Sequence, residues 1–256
     1  MTTPIGVGNA APMQIHALWC HPRSMSTAVE RIMRERGDLE VLHEPFMYDY
    51  YISGDREKFT GFAPEADHPV TYEGIRAMIL DKAAAGPVFL KDMGYYVADA
   101  LPSDPGFARQ MTHGFLVRDP AEAVVSYAKR QRDFTCEEVG LEALWRLYAS
   151  LKDQGCTCHV LSSAAIRSDP AAAMAAYWSA IGLADCPEAL RWDAKVPEGW
   201  RAVETWHREV LETSEILPPD TGRDAEAELA ALGAPFTDYV AHHRPFHELL
   251  LAEHQK

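Results

Sequence analysis

The fold is decided by the stretch IHALWCHPRSMSTAVERIMRER, residues 15–36. Its first six residues form a mainly apolar run without alternation, which is typical of a strand buried on both faces. Residues 21–27 predict a turn, and residues 28–36 predict a helix that Gly37 ends. A turn between a parallel strand and a helix places backbone N–H groups and the positive helix end at one edge of the sheet. That geometry binds phosphate or sulfate, and the turn adds the side chains of Arg23, Ser24, Ser26 and Thr27.

The alternation of strands and helices continues outward from this stretch. Further strands are predicted at 39–43, 88–91, 114–117 and 159–162, and helices at 72–85, 138–154, 223–232, from 236 onward and after the Asp-Pro pairs at 119–120 and 169–170. Such alternation implies parallel pairing with right-handed crossovers. We therefore expect a three-layer α/β fold with a central, mainly parallel sheet of about five strands flanked by helices. A single domain is expected over residues 1–256, with a flexible tail at 1–13 and a less regular part at 185–256 that caps the site.

Bulk composition excludes several classes of partner. The net charge of −14 disfavours nucleic acid and anionic membranes. No apolar run approaches the roughly 20 residues of a membrane helix. Residues 1–13 lack the basic and apolar parts of a signal peptide, so we expect a cytoplasmic protein. A homodimer stays open, because nothing in the sequence specifies the oligomeric state.

Cysteines and histidines offer only weak metal signals. The five cysteines contain no CxxC pair, which indicates free thiols rather than disulfides or metal ligands. His242, His243 and His247 cluster near the C-terminus, but Pro245 is expected to interrupt their helical register. We interpret them as part of a solvated segment and expect no metal.

A second motif follows a later strand. Residues 115–120 read FLVRDP, and Ser126 lies eight positions after Arg118. Arg118 is predicted to end its strand at the same sheet edge, and an arginine and a serine in this arrangement can share one phosphate. Helix-start chemistry alone also explains part of this motif. Asp119 is predicted as the N-cap, Pro120 takes the first helical position, and Glu122 completes a capping box. Arg130 is expected to support this face rather than to contact a ligand.

Both motifs resemble those of a known family. Residues 22–28, PRSMSTA, resemble the 5′-phosphosulfate loop of sulfotransferases, PRSGST, and Arg118-Asp119-Pro120 with Ser126 resembles their 3′-phosphate motif, RDPxxxxxS. The resemblance covers roughly residues 15–190. It implies a P-loop-like fold and transfer of a sulfuryl group from 3′-phosphoadenosine-5′-phosphosulfate (PAPS) to a hydroxyl or amine of a small-molecule acceptor.

The resemblance also implies residue roles. Residues of the first loop would hold the 5′-phosphosulfate, and two residues of the second motif would hold the 3′-phosphate. The family often has glycine where this chain has Met25, whose side chain we expect to point away from the sulfate. The donor-binding residues are then Arg23, Ser24, Met25, Ser26, Thr27, Ala28, Arg118 and Ser126.

Catalytic roles come from the same resemblance. Glu44 in HEPF, residues 43–46, is similar to the general base of several branches, and His43 is the rival base. Lys91, like Arg23, would stabilise charge on the transferring and leaving oxygens. Clustered aromatic residues are candidates for an acceptor pocket: Phe46, Tyr48, Tyr50 and Tyr51.

Two other functions remain open. A kinase or nucleotide hydrolase of P-loop type is one, although the GxxxxGK[ST] pattern is absent and the turn holds no lysine. A non-catalytic member of the fold that binds a nucleotide or a protein partner is the other.

Overall fold

A central parallel sheet organises the protein. The computed structural model describes residues 14–54, 56, 64–193, 195, 197, 200 and 208–254, so the tail expected at 1–13 lies outside the described residues. The strands are β1 (Ile15–Cys20), β2 (Glu40–His43), β3 (Val88–Met93), β4 (Met111–Val117) and β5 (Thr157–Ser162). All four pairings are parallel, in the order β2-β3-β1-β4-β5. The predicted α/β class with its sheet of about five strands is confirmed.

Helices connect the strands and cover the sheet. Within the described residues the α-helices are α1 (Ser26–Glu35), α2 (Tyr72–Ala85), α3 (Gly94–Val97), α4 (Pro105–Ala108), α5 (Pro120–Ala128), α6 (Leu141–Asp153), α7 (Ser163–Ser168), α8 (Pro170–Ala180), α9 (Arg208–Leu211), α10 (Ala225–Leu232) and α11 (Phe236–His254). A π-helical segment spans Asp49–Ser53, and short 3₁₀ turns lie at Glu137–Val139 and Pro187–Leu190. In those described residues, no helix is both long and apolar enough to cross a membrane.

Alternate residues of β1 serve two separate cores. Ile15, Ala17 and Trp19 pack in a cluster with buried residues of α2 and α6. Leu18 and Cys20 point to the opposite face and pack with buried residues of α1 and α8. Because both faces of the strand are covered, β1 reads as a continuous buried run rather than an alternating one. The arrangement is three-layered, as expected.

Strand order places the ends of three strands together. β1 lies between β3 and β4, so the chain crosses from one side of β1 to the other after β3. In open α/β sheets, ligands bind at the carboxyl edge beside such a switch point. The register aligns His43 with Lys91 and Trp19 with Asp92 at this edge. The residues that follow β1, β2 and β4 therefore lie close together at the carboxyl edge of the sheet.

Two helix predictions need correction. The helix expected at 138–154 begins only at Leu141, because Gly140 has φ +83° and breaks the helical path. The expected interruption at Pro245 is wrong, since α11 runs through it. His243 on this helix is buried, so the prediction of a solvated segment fails there.

Candidate active site

The loop between β1 and α1 has an unusual backbone. Arg23 has φ +62° and Met25 has φ +75°. This left-handed region favours glycine, which explains why a glycine suits the position of Met25. Met25 is the N-cap residue of α1, and its side chain makes no capping hydrogen bond. Its own side chain packs against the apolar cluster around Val29 and Ile32, inside the fold.

Ser24 lies at the centre of this loop. It is fully buried, and its Oγ has no hydrogen-bond partner within the described residues. A buried hydroxyl without a partner costs roughly 1–3 kcal/mol. An anion seated at the start of α1 would supply that partner, so the loop fits a bound phosphate or sulfate. Ser26, Thr27 and Ala28 form the first turn of the same helix.

The second motif contacts the first directly. Arg118 donates from Nη1 to the carbonyl oxygen of Arg23 at 2.9 Å. Arg23 in turn donates from Nε to Ser126 Oγ on α5, also at 2.9 Å. The carboxylate of Glu122 accepts from Arg118 Nε at 2.9 Å, so Glu122 serves Arg118 instead of closing a capping box with Asp119. The structure thus brings both predicted anion motifs into one contiguous group.

His21, which follows β1, connects the two loops through a hydrogen bond to the backbone of Arg118. It is fully buried, and its Nε2 accepts a hydrogen bond from the backbone N–H of Arg118 at 3.0 Å. Burial is the main reason that the pKa of His21 falls to about 3, and the ring is therefore neutral at physiological pH. Sequence reasoning assigned His21 only to the turn. Its position directly after a buried strand was the available signal.

The three predicted catalytic residues at the end of β2 and in β3 also meet: His43, Glu44 and Lys91. The Lys91 ammonium donates to Glu44 Oε1, and the Glu44 backbone N–H donates to Lys91 O at 2.8 Å. His43 Nε2 lies 3.8 Å from the same Oε1. Lys91 is fully buried, which rules out a solvated strand end. Burial opposes its charge, but the neighbouring carboxylates of Glu44 and Glu30 raise the pKa of Lys91 above its usual value.

Backbone strain is concentrated at this edge. Glu44 has φ +42°. Within the described residues, the non-glycine residues at positive φ are Arg23, Met25 and Glu44. Each such conformation costs about 1–3 kcal/mol and persists only where the surroundings enforce it. Strain of this kind clusters at functional sites. All three residues belong to the site predicted from sequence.

Asp92 and Glu30 were missed by sequence reasoning. Asp92 is fully buried and accepts from the backbone N–H of Phe46 at 2.7 Å, and burial raises its pKa well above the usual range. Glu30 on α1 is also fully buried, with Oε2 2.6 Å from His43 Nδ1. Burial alone would raise the pKa of Glu30, but His43 and the nearby cations hold it well below its usual value. The i,i+4 spacing of Glu30 to Arg34 resembles an ordinary surface pair, which hid its role.

Aromatic residues border the site on the side of Glu44. Phe46, Tyr48 and Tyr51 are buried. Tyr50 is half-buried, and its ring centroid lies 5.3 Å from that of Tyr95. This tyrosine group packs within the core beneath α2 and α6.

Two histidines of α11 form a cluster with Cys136. Donor atoms of Cys136, His242 and His243 lie within 4.8 Å of one another, which is a spacing that could hold a metal. However, both ring nitrogens of His243 are engaged: Nε2 bonds Cys136 O at 2.7 Å, and Nδ1 accepts from the Glu142 N–H at 3.2 Å. These bonds make His243 a buried structural residue that ties α11 to α6.

The fold, with its two loops in contact at the carboxyl edge of the sheet, defines a P-loop-like α/β protein. Residues 13–225 match the family whose description is "Sulfotransferase domain". The chain therefore belongs to the sulfotransferase domain family, as its two motifs predict.

Comparison with individual proteins gives distant relatives. The chain is 25% identical over 217 residues to branched-chain-amino-acid aminotransferase-like protein 2 of Arabidopsis thaliana, covering 80% of this chain and 36% of that protein. It is 24% identical over 218 residues to branched-chain-amino-acid aminotransferase-like protein 1 of the same plant, covering 82% and 38%. The chain thus spans little more than a third of the length of these curated relatives.

Solved structures of similar shape carry low identity. The sulfotransferase domain from the curacin biosynthetic pathway is 12% identical, with a TM-score of 0.49 over 93% of this chain and 99% of that one. A sulfotransferase from Alicyclobacillus acidocaldarius is 13% identical, with a TM-score of 0.46 over 92% and 96%.

Proposed function

We propose that this protein transfers a sulfuryl group from PAPS to a hydroxyl or amine of a small-molecule acceptor. The contact between the two anion motifs carries the proposal. Arg118 donates to Arg23 O, and Arg23 donates to Ser126 Oγ, so one ligand could touch both loops at once. PAPS has its 5′-phosphosulfate and its 3′-phosphate on one nucleoside, and ADP lacks the second group.

The donor would lie across the carboxyl ends of β1 and β4. Its 5′-phosphosulfate would contact the start of α1, where Ser24 Oγ lacks a partner among the described residues and the Met25 side chain makes no capping hydrogen bond. Arg118 and Ser126 would hold the 3′-phosphate through charge-assisted and neutral hydrogen bonds.

Transfer would then follow at the edge beside β2 and β3. The acceptor oxygen or nitrogen attacks sulfur, its new bond to sulfur forms, and the S–O bond to the bisphosphate breaks. The acceptor proton passes to the pair formed by His43 and Glu44. Arg23 and Lys91 supply fixed positive charge near the transferring and leaving oxygens, an effect that is strong in a buried site.

Two alternatives make different predictions. A kinase or nucleotide hydrolase would bind ADP and ATP and would not need Arg118 with Ser126 for a 3′-phosphate. A non-catalytic member would bind the bisphosphate and transfer nothing. The buried Lys91–Glu44 pair beside strained backbone favours catalysis, because a purely structural ion pair needs no such strain.

A thermal-shift titration tests the donor. Adenosine 3′,5′-bisphosphate, ADP and AMP are compared on the wild type, on Arg118→Ala and on the control Arg109→Ala, which changes an exposed arginine near α4. A ligand at 100 times its dissociation constant adds roughly 2.7 kcal/mol of stability. We expect a shift with the bisphosphate that Arg118→Ala abolishes and Arg109→Ala keeps. A larger shift with ADP would favour the kinase or hydrolase, and no shift with any nucleotide would contradict the proposal.

A further inference from the structure

A buried carboxylate lies directly behind one of the two candidate bases. Glu30 is fully buried on α1, and its Oε2 is 2.6 Å from Nδ1 of His43, whose side chain is only 2% exposed. No motif of the sequence assigns a role to Glu30. The two residues are 13 positions apart and meet only because α1 packs beside β2.

The charge state of Glu30 fixes the direction of this hydrogen bond. Its pKa lies well below the usual range: burial raises it, but the interaction with His43 and the charges of Lys91 and Arg34 outweigh that effect. Glu30 is therefore an ionised carboxylate, which can only accept hydrogen bonds. Nδ1 of His43 must then carry the proton. In the neutral ring, Nε2 is consequently the basic nitrogen.

Other contacts hold the Glu30 carboxylate in place. Oε1 accepts from Arg34 Nη2 at 2.8 Å and from Trp200 Nε1 at 2.7 Å. Lys91 Nζ lies 3.6 Å from Oε2. With both oxygens engaged, the carboxylate has a fixed orientation, and so does the imidazole bonded to it.

Glu44 has a different environment. Its Oε1 accepts from the Lys91 ammonium, so one buried charge of the pair compensates the other. Protonation of Glu44 would leave the buried Lys91 with less compensation, which is costly. Protonation of His43 instead creates an imidazolium against the Glu30 carboxylate. His43 thus has a carboxylate bonded to its far ring nitrogen, the arrangement that orients an imidazole for proton transfer.

We propose that Glu30 is a positioning residue that keeps His43 protonated at Nδ1, so that Nε2 receives the acceptor proton during transfer. This inference rests on the proposed sulfuryl transfer. In the step, the acceptor O–H or N–H bond breaks toward Nε2 while the acceptor–sulfur bond forms and the sulfur–oxygen bond to the bisphosphate breaks. Glu30 itself stays ionised and never touches the substrate.

The proton position can be measured without any substrate. A ¹⁵N-labelled chain at pH 9 gives separate ring-nitrogen signals for each histidine, and His43→Gln identifies those of residue 43. We expect Nδ1 to carry hydrogen and Nε2 to carry none. A ring protonated only at Nε2, or at both nitrogens, would overturn the proposal.

A double-mutant cycle tests the role in turnover. Sulfuryl transfer from PAPS to a panel of simple alcohols, phenols and amines is measured for Glu30→Gln, His43→Gln and the double variant. The matched control is Glu35→Gln, which also removes a carboxylate paired to an arginine on α1. We expect Glu30→Gln to lower kcat by about 100-fold with KM for PAPS unchanged. In the His43→Gln background the same change should cost less than about threefold, because residues that act as a unit are non-additive.

Each contrary result has a distinct meaning. Independent losses that multiply in the double variant, or a Glu30→Gln variant as active as Glu35→Gln, would overturn the positioning role. A wild type that transfers sulfate to no acceptor would overturn the proposed function instead. The ring-nitrogen signals would still report whether Glu30 sets the proton position on His43.

Discussion

Two helices that begin at the carboxyl edge of the sheet start in opposite ways. α5 follows β4 with Asp119 as its cap, whose carboxylate accepts from the N–H groups of Ala121 and Glu122. α1 follows β1 after Met25, whose backbone is in the left-handed conformation and whose side chain does not cap the helix. A capped start satisfies its own N–H groups, and an uncapped one suits an external anion. The start of α5 is thus locally stable and would bind ligand through side chains, whereas that of α1 would bind through its backbone N–H groups together with Arg23 and Ser24.

The largest effect is expected at the uncapped start. Arg23→Ala removes a cation beside the proposed sulfuryl group, and loss of one such donor typically lowers kcat by about 10²–10³-fold. Turnover with PAPS is compared with that of Arg109→Ala, which should match the wild type. A loss below about threefold would mean that Arg23 only braces Ser126 and that the contrast between the two starts has no catalytic meaning.

An effect of intermediate size is expected on the pH dependence of stability. It concerns His21, which follows β1 and accepts a hydrogen bond from Arg118, just before α5. Its pKa is about 3 in the folded protein against 6.5 ordinarily, so the unfolded chain binds a proton first as pH falls. The stability contributed by neutral His21 is complete above pH 6.5 and declines below it. The slope of the unfolding free energy against pH should approach about 1.4 kcal/mol per unit between pH 6 and 4 for this group.

His21→Gln separates this residue from other acid-sensitive groups. Glutamine can still accept from the N–H of Arg118 but does not gain a proton in this range. Urea unfolding at pH 7, 6 and 5 should give a shallower slope for the variant. Buried His113 and His16, whose pKa values both fall to about 4, contribute to the slope that remains. Equal slopes for variant and wild type would show that His21 is not buried in its neutral form.

The smallest effect is expected on the unfolding free energy when the two N-cap residues are changed. Asp119→Ala removes a side-chain cap and should lower the unfolding free energy by about 1 kcal/mol. Met25→Gly relieves left-handed strain but loses apolar packing, and the two terms should nearly cancel. Urea denaturation of both variants measures the difference. Equal destabilisation would remove the distinction between the two starts.

Much of the site was readable from local patterns. The strand–turn–helix at residues 15–36 and the RDP motif are short, continuous segments, and their chemistry depends on neighbours in the chain. The cap at Asp119 was likewise correct, because capping is a local interaction. Lys91 and Glu44 were proposed separately, and the β2–β3 register brings them together.

The failures share the opposite property. Glu30 was hidden because its local partner Arg34 explains it fully, and only the packing of α1 beside β2 adds His43. His243 was misplaced because a proline suggests a break, whereas contacts with α6 and Cys136 hold α11 together through it. Neither contact leaves a signal in sequence spacing.

By itself, the sequence determined the order of elements, the parallel sheet and the two anion motifs, because hydrophobic period, turn chemistry and capping act over a few residues. Only the tertiary structure decided which charges share a buried space. Burial removes water from Glu30, Lys91 and Glu44 at once, and their interaction then depends on distances between elements that are far apart in the chain.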